Sequence, residues 1–323
     1  MVFKRMLGAF GVGGPSVDTV LAGSRVRPGE FLRGEVRLKG GDFDADIQHI
    51  TLTLVTRAEA EYGDSEHTGL AEFLRVPVTG PFRLAAKEER AIPFQFQVPW
   101  ETPITEIHGQ PLYGMTMGVR TEVAIAAAVD KGDLDPIAVL PLPSQEAVLE
   151  AFARLGFRFK NADVEMGGIY GVHQQLPFYQ EIEFFASPQH AAYVNEVELT
   201  FVADPGGMHI VLEADHRGHG DDTFGRWYVG HEEALHRDWA AEINGWLTAL
   251  SQYGHGGFHG APYGPHGDPY GHGHHGHPGH HGHHGSGTGA AIVAGAAGLA
   301  AGFIAAEAID EIGDFFEGDD EEE

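Results

Sequence analysis

The chain of 323 residues contains no cysteine, which excludes disulfides, thiolate metal ligands and cysteine nucleophiles. Basic residues run out early. Arg237 is the last of them, and residues 238–323 hold thirteen carboxylates with no Lys or Arg. With a net charge of −27, the chain offers no basic stripe for a phosphate backbone, so nucleic acid is not an expected partner. Catalytic signatures are missing as well: there is no G-x-S-x-G, no P-loop, no G-x-G-x-x-G after a strand and no H-E-x-x-H. His231 precedes Glu232 and Glu233, but Leu235 stands where a zinc-binding helix needs its second histidine. The chain is therefore expected to be non-enzymatic and to require no cofactor. The N-terminal MVFKRMLGAFGVGG is broken by Gly8, Gly11 and Gly13 and lacks a small-residue cleavage pattern. It reads as an uncleaved segment of a cytoplasmic protein, with a peripheral place at the inner face of the membrane as a further expectation.

What is present is alternation. In VRTEVAIAAAVD, Val119, Thr121, Val123, Ile125, Ala127 and Val129 alternate with Arg120, Glu122 and smaller residues, the period of a strand with one face buried. Ile50, Leu52 and Leu54 alternate in the same way, as do Ile92, Phe94, Phe96 and Val98, and Val36 with Leu38. Pro28-Gly29, Gly40-Gly41 and Gly80-Pro81 punctuate these runs. Repeated short strands without helices between them predict a β-sandwich over 1–130. After an acidic turn and a connector over 131–143, Val148, Leu149, Phe152 and Leu155 mark a short helix. Ser144 is its expected cap and Gly156 its end. Strands then recur to about Val229, and Trp239, Ile243, Trp246, Leu247 and Leu250 lie on one side of a closing helix. Residues 144–252 are thus expected to form a second β-sandwich with a closing helix.

The order and spacing of PFQFQVPWETP, VRTEVAIAAAVDKGDLDPIAVLPLP and SQEAVLEAFARLGFRF resemble the sporulation-control protein family, SpoOM. The resemblance covers roughly Met1 to Leu250. It implies a mainly β fold of two consecutive arrestin-like β-sandwich domains. It also implies a regulatory scaffold in developmental or cell-cycle control, acting through protein partners. Arrestin-like proteins carry a buried polar core near the connector. By that resemblance Asp130, Asp133 and Asp135 would pair with arginines between the domains, while the residues alone equally describe an acidic turn in water.

Beyond the resemblance the character changes. Residues 253–288 hold eleven of the 21 histidines among Gly and Pro, a composition expected to stay disordered. His272, His274, His275, His277, His280, His281, His283 and His284 could chelate Zn²⁺ or Ni²⁺, making metal buffering an alternative function. At pH below about 6.5 protonated imidazoles would also attract the tail at 307–323, which has ten carboxylates in seventeen residues. Between tract and tail, residues 289–306 are uncharged and read as an Ala/Gly-rich apolar helix. Gly295, Gly298 and Gly302 lie along one face of it, the pattern of close helix–helix contact in membranes. Membrane contact through 289–306, or a homo-oligomer through the same helix, is the other alternative. Asp215, His216, His219, Asp221 and Asp222 also cluster, but Gly218 and Gly220 mark a solvated turn there.

Overall fold

Val36, Leu38, Ile50, Leu52 and Leu54 are all essentially buried, as alternation demands of strands with one face in a core. The computed structural model describes residues 13–62, 65–216, 223–253 and 303–305. The first lobe contains β1 (Ser16–Leu21), β2 (Arg25–Val26), β3 (Phe31–Lys39), β4 (Ala45–Tyr62), β5 (Ser65–Thr79) and β6 (Phe82–Leu84). It continues through β7 (Glu89–Gln97), β8 (Glu106–Ile107), β9 (Gln110–Pro111), β10 (Met117–Ile125), β11 (Lys131–Pro136) and β12 (Ala138–Val139). One layer is β1-β3-β7; the other runs β11-β10-β4 and then β5, with β6 also on β4. Leu32, Val36 and Phe96 from the first layer share a single core with Ile50, Leu52, Val119 and Val123 from the second. This is the expected sandwich.

Its end lies later than alternation suggests. The run does not continue to Val129: β10 stops at Ile125, and Ala127 turns the chain at φ 55. Asp130 accepts the Ile125 N–H at 2.9 Å and closes the turn. β11 then returns antiparallel on β10, and β12 runs parallel to β2. Most of the expected connector over 131–143 is therefore part of the first lobe. The acidic residues close a hairpin there, because Asp130 satisfies a backbone donor that the turn would leave free.

The second lobe begins with α1 (Pro143–Leu155). Pro143 occupies its first turn, where the missing N–H costs nothing, and the helix ends at Gly156 with φ 84. Ser144 is not the cap: it lies inside the first turn, and the Gln145 side-chain oxygen accepts the Leu142 N–H instead, at 2.8 Å. β13 (Arg158–Met166), β14 (Phe178–Phe185), β15 (Val194–Ala203), β16 (Gly207–His216) and β17 (Thr223–Gly230) then follow as an antiparallel meander. α2 (His231–His236) and α3 (Trp239–Tyr253) complete it. Here the expected second two-sheet sandwich gives way to one sheet whose apolar face is covered by helices. Phe152 of α1 lies 4.6 Å from the Phe184 ring centroid, and Trp239, Ile243 and Leu247 of α3 are buried. Two amphipathic helices bury the face that a second sheet would otherwise cover.

The lobes share one sheet and one core. A parallel bridge, Glu165 with Glu59, joins β13 to β4. Gln180 zips the seam, accepting the Ile104 N–H at 2.9 Å and donating to the Ile104 carbonyl at 2.7 Å. Phe73 meets Phe178 edge-on at 5.3 Å, and Trp100 stacks on His231 at 5.6 Å. Finally β18 (Phe303–Ala305) pairs antiparallel with β5. An apolar helix is expected over 289–306; these three residues are extended instead, because their backbone groups find partners on the β5 edge. Among the described residues no helix is long and apolar enough to cross a membrane.

Candidate functional site

Four carboxylate pairs spaced two apart fall on four successive strands: Asp163 and Glu165, Glu181 and Glu183, Glu196 and Glu198, Glu213 and Asp215. A two-residue spacing puts both members of each pair on the same face. Register then stacks the pairs across the sheet. Asp163 opposes Glu181, Glu183 opposes Glu198, Glu198 opposes Glu213, and Glu196 opposes Asp215. The face turned away from the helices therefore carries eight carboxylates. Like charges opposed in a ladder each cost a few tenths to ~1 kcal/mol, so packing alone does not account for the arrangement.

The electrostatics follow from that crowding. Lys160 reaches Glu183 and Glu196, each at 2.5 Å. Burial weakens its ammonium, but the two hydrogen bonds outweigh burial and hold its pKa above the usual lysine range. Farther into the sheet, burial first, and then the charges of Glu198, Asp163, Glu165 and Glu213, push Glu181 well above the carboxylate range. Burial followed by Glu183, Glu165 and Glu59 raises Asp163 to about 9. Burial and the facing carboxylates thus both favour the protonated form of Asp163. Tyr179, on the same face, is also raised, by burial and then by Glu181 and Glu165. Oxygens of Glu181, Glu198 and Glu213 lie within 4.8 Å of one another, a hard-oxygen donor set of the kind calcium or magnesium prefers. That chemistry differs from the imidazole set expected in the histidine tract.

Beside this face, at the seam, is a polar cavity of about 210 Å³ lined by Arg57, Glu59, Tyr113, Gly114, Asn161 and Asp163. Arg57 Nε, Asn161 Oδ1 and Asp163 Oδ1 are buried there without a protein hydrogen-bond partner. Such a space is polar and large enough for bridging water. The Ala162 N–H donates to the Tyr113 carbonyl at 3.1 Å and holds the loop of the first lobe against β13.

The three aspartates read from the sequence lie elsewhere. Asp133 accepts the Thr19 N–H at 2.6 Å and the Leu134 N–H at 3.1 Å, and Thr19 and Thr121 hydroxyls meet at 2.7 Å. Asp135 has a buried oxygen without a partner, and burial, then Asp133 and Asp18, raise it to about 6. The structure thus places Asp133 and Asp135 where β11 meets β1, and Asp130 in the β10–β11 turn, all inside the first lobe. The hairpin return of β11 is what keeps them from the boundary between lobes. Asp133→Ala should lower stability by roughly 1 kcal/mol, since the Thr19 amide loses its acceptor. Urea unfolding checks that drop, and X-ray scattering should superimpose on that of the wild type; a change in overall shape would restore the interdomain role. The eight tract histidines and Gly295, Gly298 and Gly302 lie outside the described residues, as do His219, Asp221 and Asp222.

None of the carboxylate-face residues stands out in a search for catalytic motifs. The signal that finds them is the acid-x-acid spacing, repeated in four runs that each alternate at period two.

A family model described as SpoOM protein matches residues 3–218. The sporulation-control protein Spo0M of Bacillus subtilis (strain 168) is 37% identical over 219 residues, spanning 68% of this chain and 82% of the relative. The crystal structure of Spo0M from Bacillus subtilis superimposes with a TM-score of 0.65 at 33% identity, covering 75% of this chain and 100% of that one.

Proposed function

The chain belongs to the SpoOM family of sporulation-control proteins, and from that membership we propose a non-catalytic regulator that binds a protein partner through the acidic face of its second lobe. The relative's role as a sporulation-control protein supports regulation. The observation that carries the binding reading is the stacking of eight carboxylates in register across β13 to β16. Lys160 is tied to Glu183 and Glu196, and the net negative character of the face favours a partner segment rich in Lys or Arg. Such complementarity governs encounter rate and partner choice more than raw affinity.

The test replaces Glu198 and Asp215 by Gln and Asn in the full chain. Both changes remove charge while keeping shape, and Glu198→Gln also relieves repulsion from Glu183 and Glu213. In-cell crosslinking followed by mass spectrometry should show the dominant partner of the wild type reduced about tenfold, equivalent to ~1.4 kcal/mol. Added salt should weaken the wild-type complex to the extent that solvent reaches these half-buried charges. An unchanged partner set, with the variant folded, overturns the reading.

A further inference from the structure

The β5 edge is defended along only part of its length. Pairing of β4 with β5 shifts register between Ile50 and Thr51 and again between Leu54 and Val55. The same end of β5 carries exposed Arg75 and Pro77. Bulges, charge and proline are the devices that keep an open edge from recruiting another strand. From Thr56–Ala71 to Tyr62–Ser65 the ladder is regular, and Gly69, Leu70 and Ala71 carry none of these devices. That undefended stretch is where β18 pairs: Phe303 with Ala71, Ile304 with Leu70, Ala305 with Gly69. The strand covers three residues of a regular run of seven, Ser65 to Ala71, and is joined to the second lobe through the 49 residues from 254 to 302.

We propose that the Gly69–Ala71 edge of β5 is a strand-acceptor site, and that in an assembly its occupant is Phe303–Ala305 of a second copy, exchanged for the chain's own strand. The pairing already present in one copy is the pairing that exchange would reproduce, so no new complementarity is needed. At ~3.3 Å per extended residue, the intervening chain has ample reach to a neighbour. Reciprocal exchange closes a twofold dimer, whereas one-way donation leaves an edge open and extends the assembly. The covalent link gives the strand of the same chain an effective concentration at most on the order of mM. Exchange therefore belongs to places where copies are crowded. This surface is on the first lobe and does not depend on the acidic face.

The experiment uses a full-length Phe303→Pro, Ile304→Pro double variant, in which one of two consecutive prolines removes a donor facing β5, and a fluorescent peptide of residues 299–309. Hydrogen exchange of those Gly69–Ala71 amides that face β18 and not β4 should be at least tenfold faster in the variant than in the wild type, and the peptide should restore protection. Peptide binding by fluorescence anisotropy should be at least tenfold tighter to the variant, whose own strand no longer competes. Equal exchange in the two proteins overturns the proposal. So does a peptide that binds neither protein, or a scrambled peptide that binds the variant equally well. Loss of partner binding on the acidic face would leave all of these readouts unmoved.

Discussion

Asp163→Asn should raise the urea midpoint of unfolding at pH 8 and change it far less at pH 5. Burial and the neighbouring Glu183, Glu165 and Glu59 hold the folded pKa of Asp163 near 9, whereas the unfolded side chain titrates near 3.9. Between these values the folded chain keeps a proton that the unfolded chain releases. The stabilisation from that proton is complete below about pH 4 and is lost as pH rises towards 9. Asparagine cannot ionise, so it escapes the loss. The gap between variant and wild type should widen with pH, reaching on the order of 2–4 kcal/mol over three pH units at up to ~1.4 kcal/mol per unit. Glu181 titrates upward on the same face and Lys160 binds Glu183, so part of the wild-type pH dependence should persist in the variant. Parallel stability curves for the two proteins from pH 5 to 8 would show that Asp163 is ionised in the fold.

Gly114→Ala should cost the most of any single-methyl change at the seam. Gly114 has φ +89, and a Cβ there would lie 2.1 Å from the Ala162 carbonyl oxygen and 2.8 Å from Asn161 Oδ1. The nearer atom is backbone, so the contact cannot be relieved by a rotamer. A left-handed conformation costs an L-residue ~1–2 kcal/mol. The loop must also withdraw from β13, giving up the Tyr113–Ala162 hydrogen bond, worth about 1 kcal/mol. A loss of ~3 kcal/mol or more in urea unfolding is expected, with faster hydrogen exchange along β13. Gly245→Ala is the control: it lies within α3 with nothing within 4 Å of a Cβ. Alanine there should be neutral or stabilising by up to ~1 kcal/mol. If Gly114→Ala were as mild as Gly245→Ala, the loop would not be held against β13.

Much of the architecture can be read one strand at a time. Alternation at Ile50, Leu52 and Leu54 and the stripe of Trp239, Ile243 and Leu247 each name an element and its buried face, because side-chain period is a local consequence of backbone geometry. The acid-x-acid pairs are equally local, yet their meaning is not. Glu198 is an ordinary surface residue until β14 and β16 bring Glu183 and Glu213 opposite it. The misplaced aspartates show the same limit: nothing within DKGDLD says that β11 returns on β10, so a hairpin looks like a connector.

By itself the sequence determined the exclusion of thiol chemistry, the β-rich lobes, the closing helix and, through the order of its motifs, the family. These follow from composition and from patterns a few residues long. Only the tertiary structure decided that the second lobe is one sheet under helices and that eight carboxylates share a face. It alone decided that burial and facing carboxylates favour the protonated form of Asp163, and that three residues of the C-terminal segment pair as a strand on β5. Each of these depends on residues far apart in the chain meeting at hydrogen-bonding distance, and register, burial and local dielectric exist only once they have met.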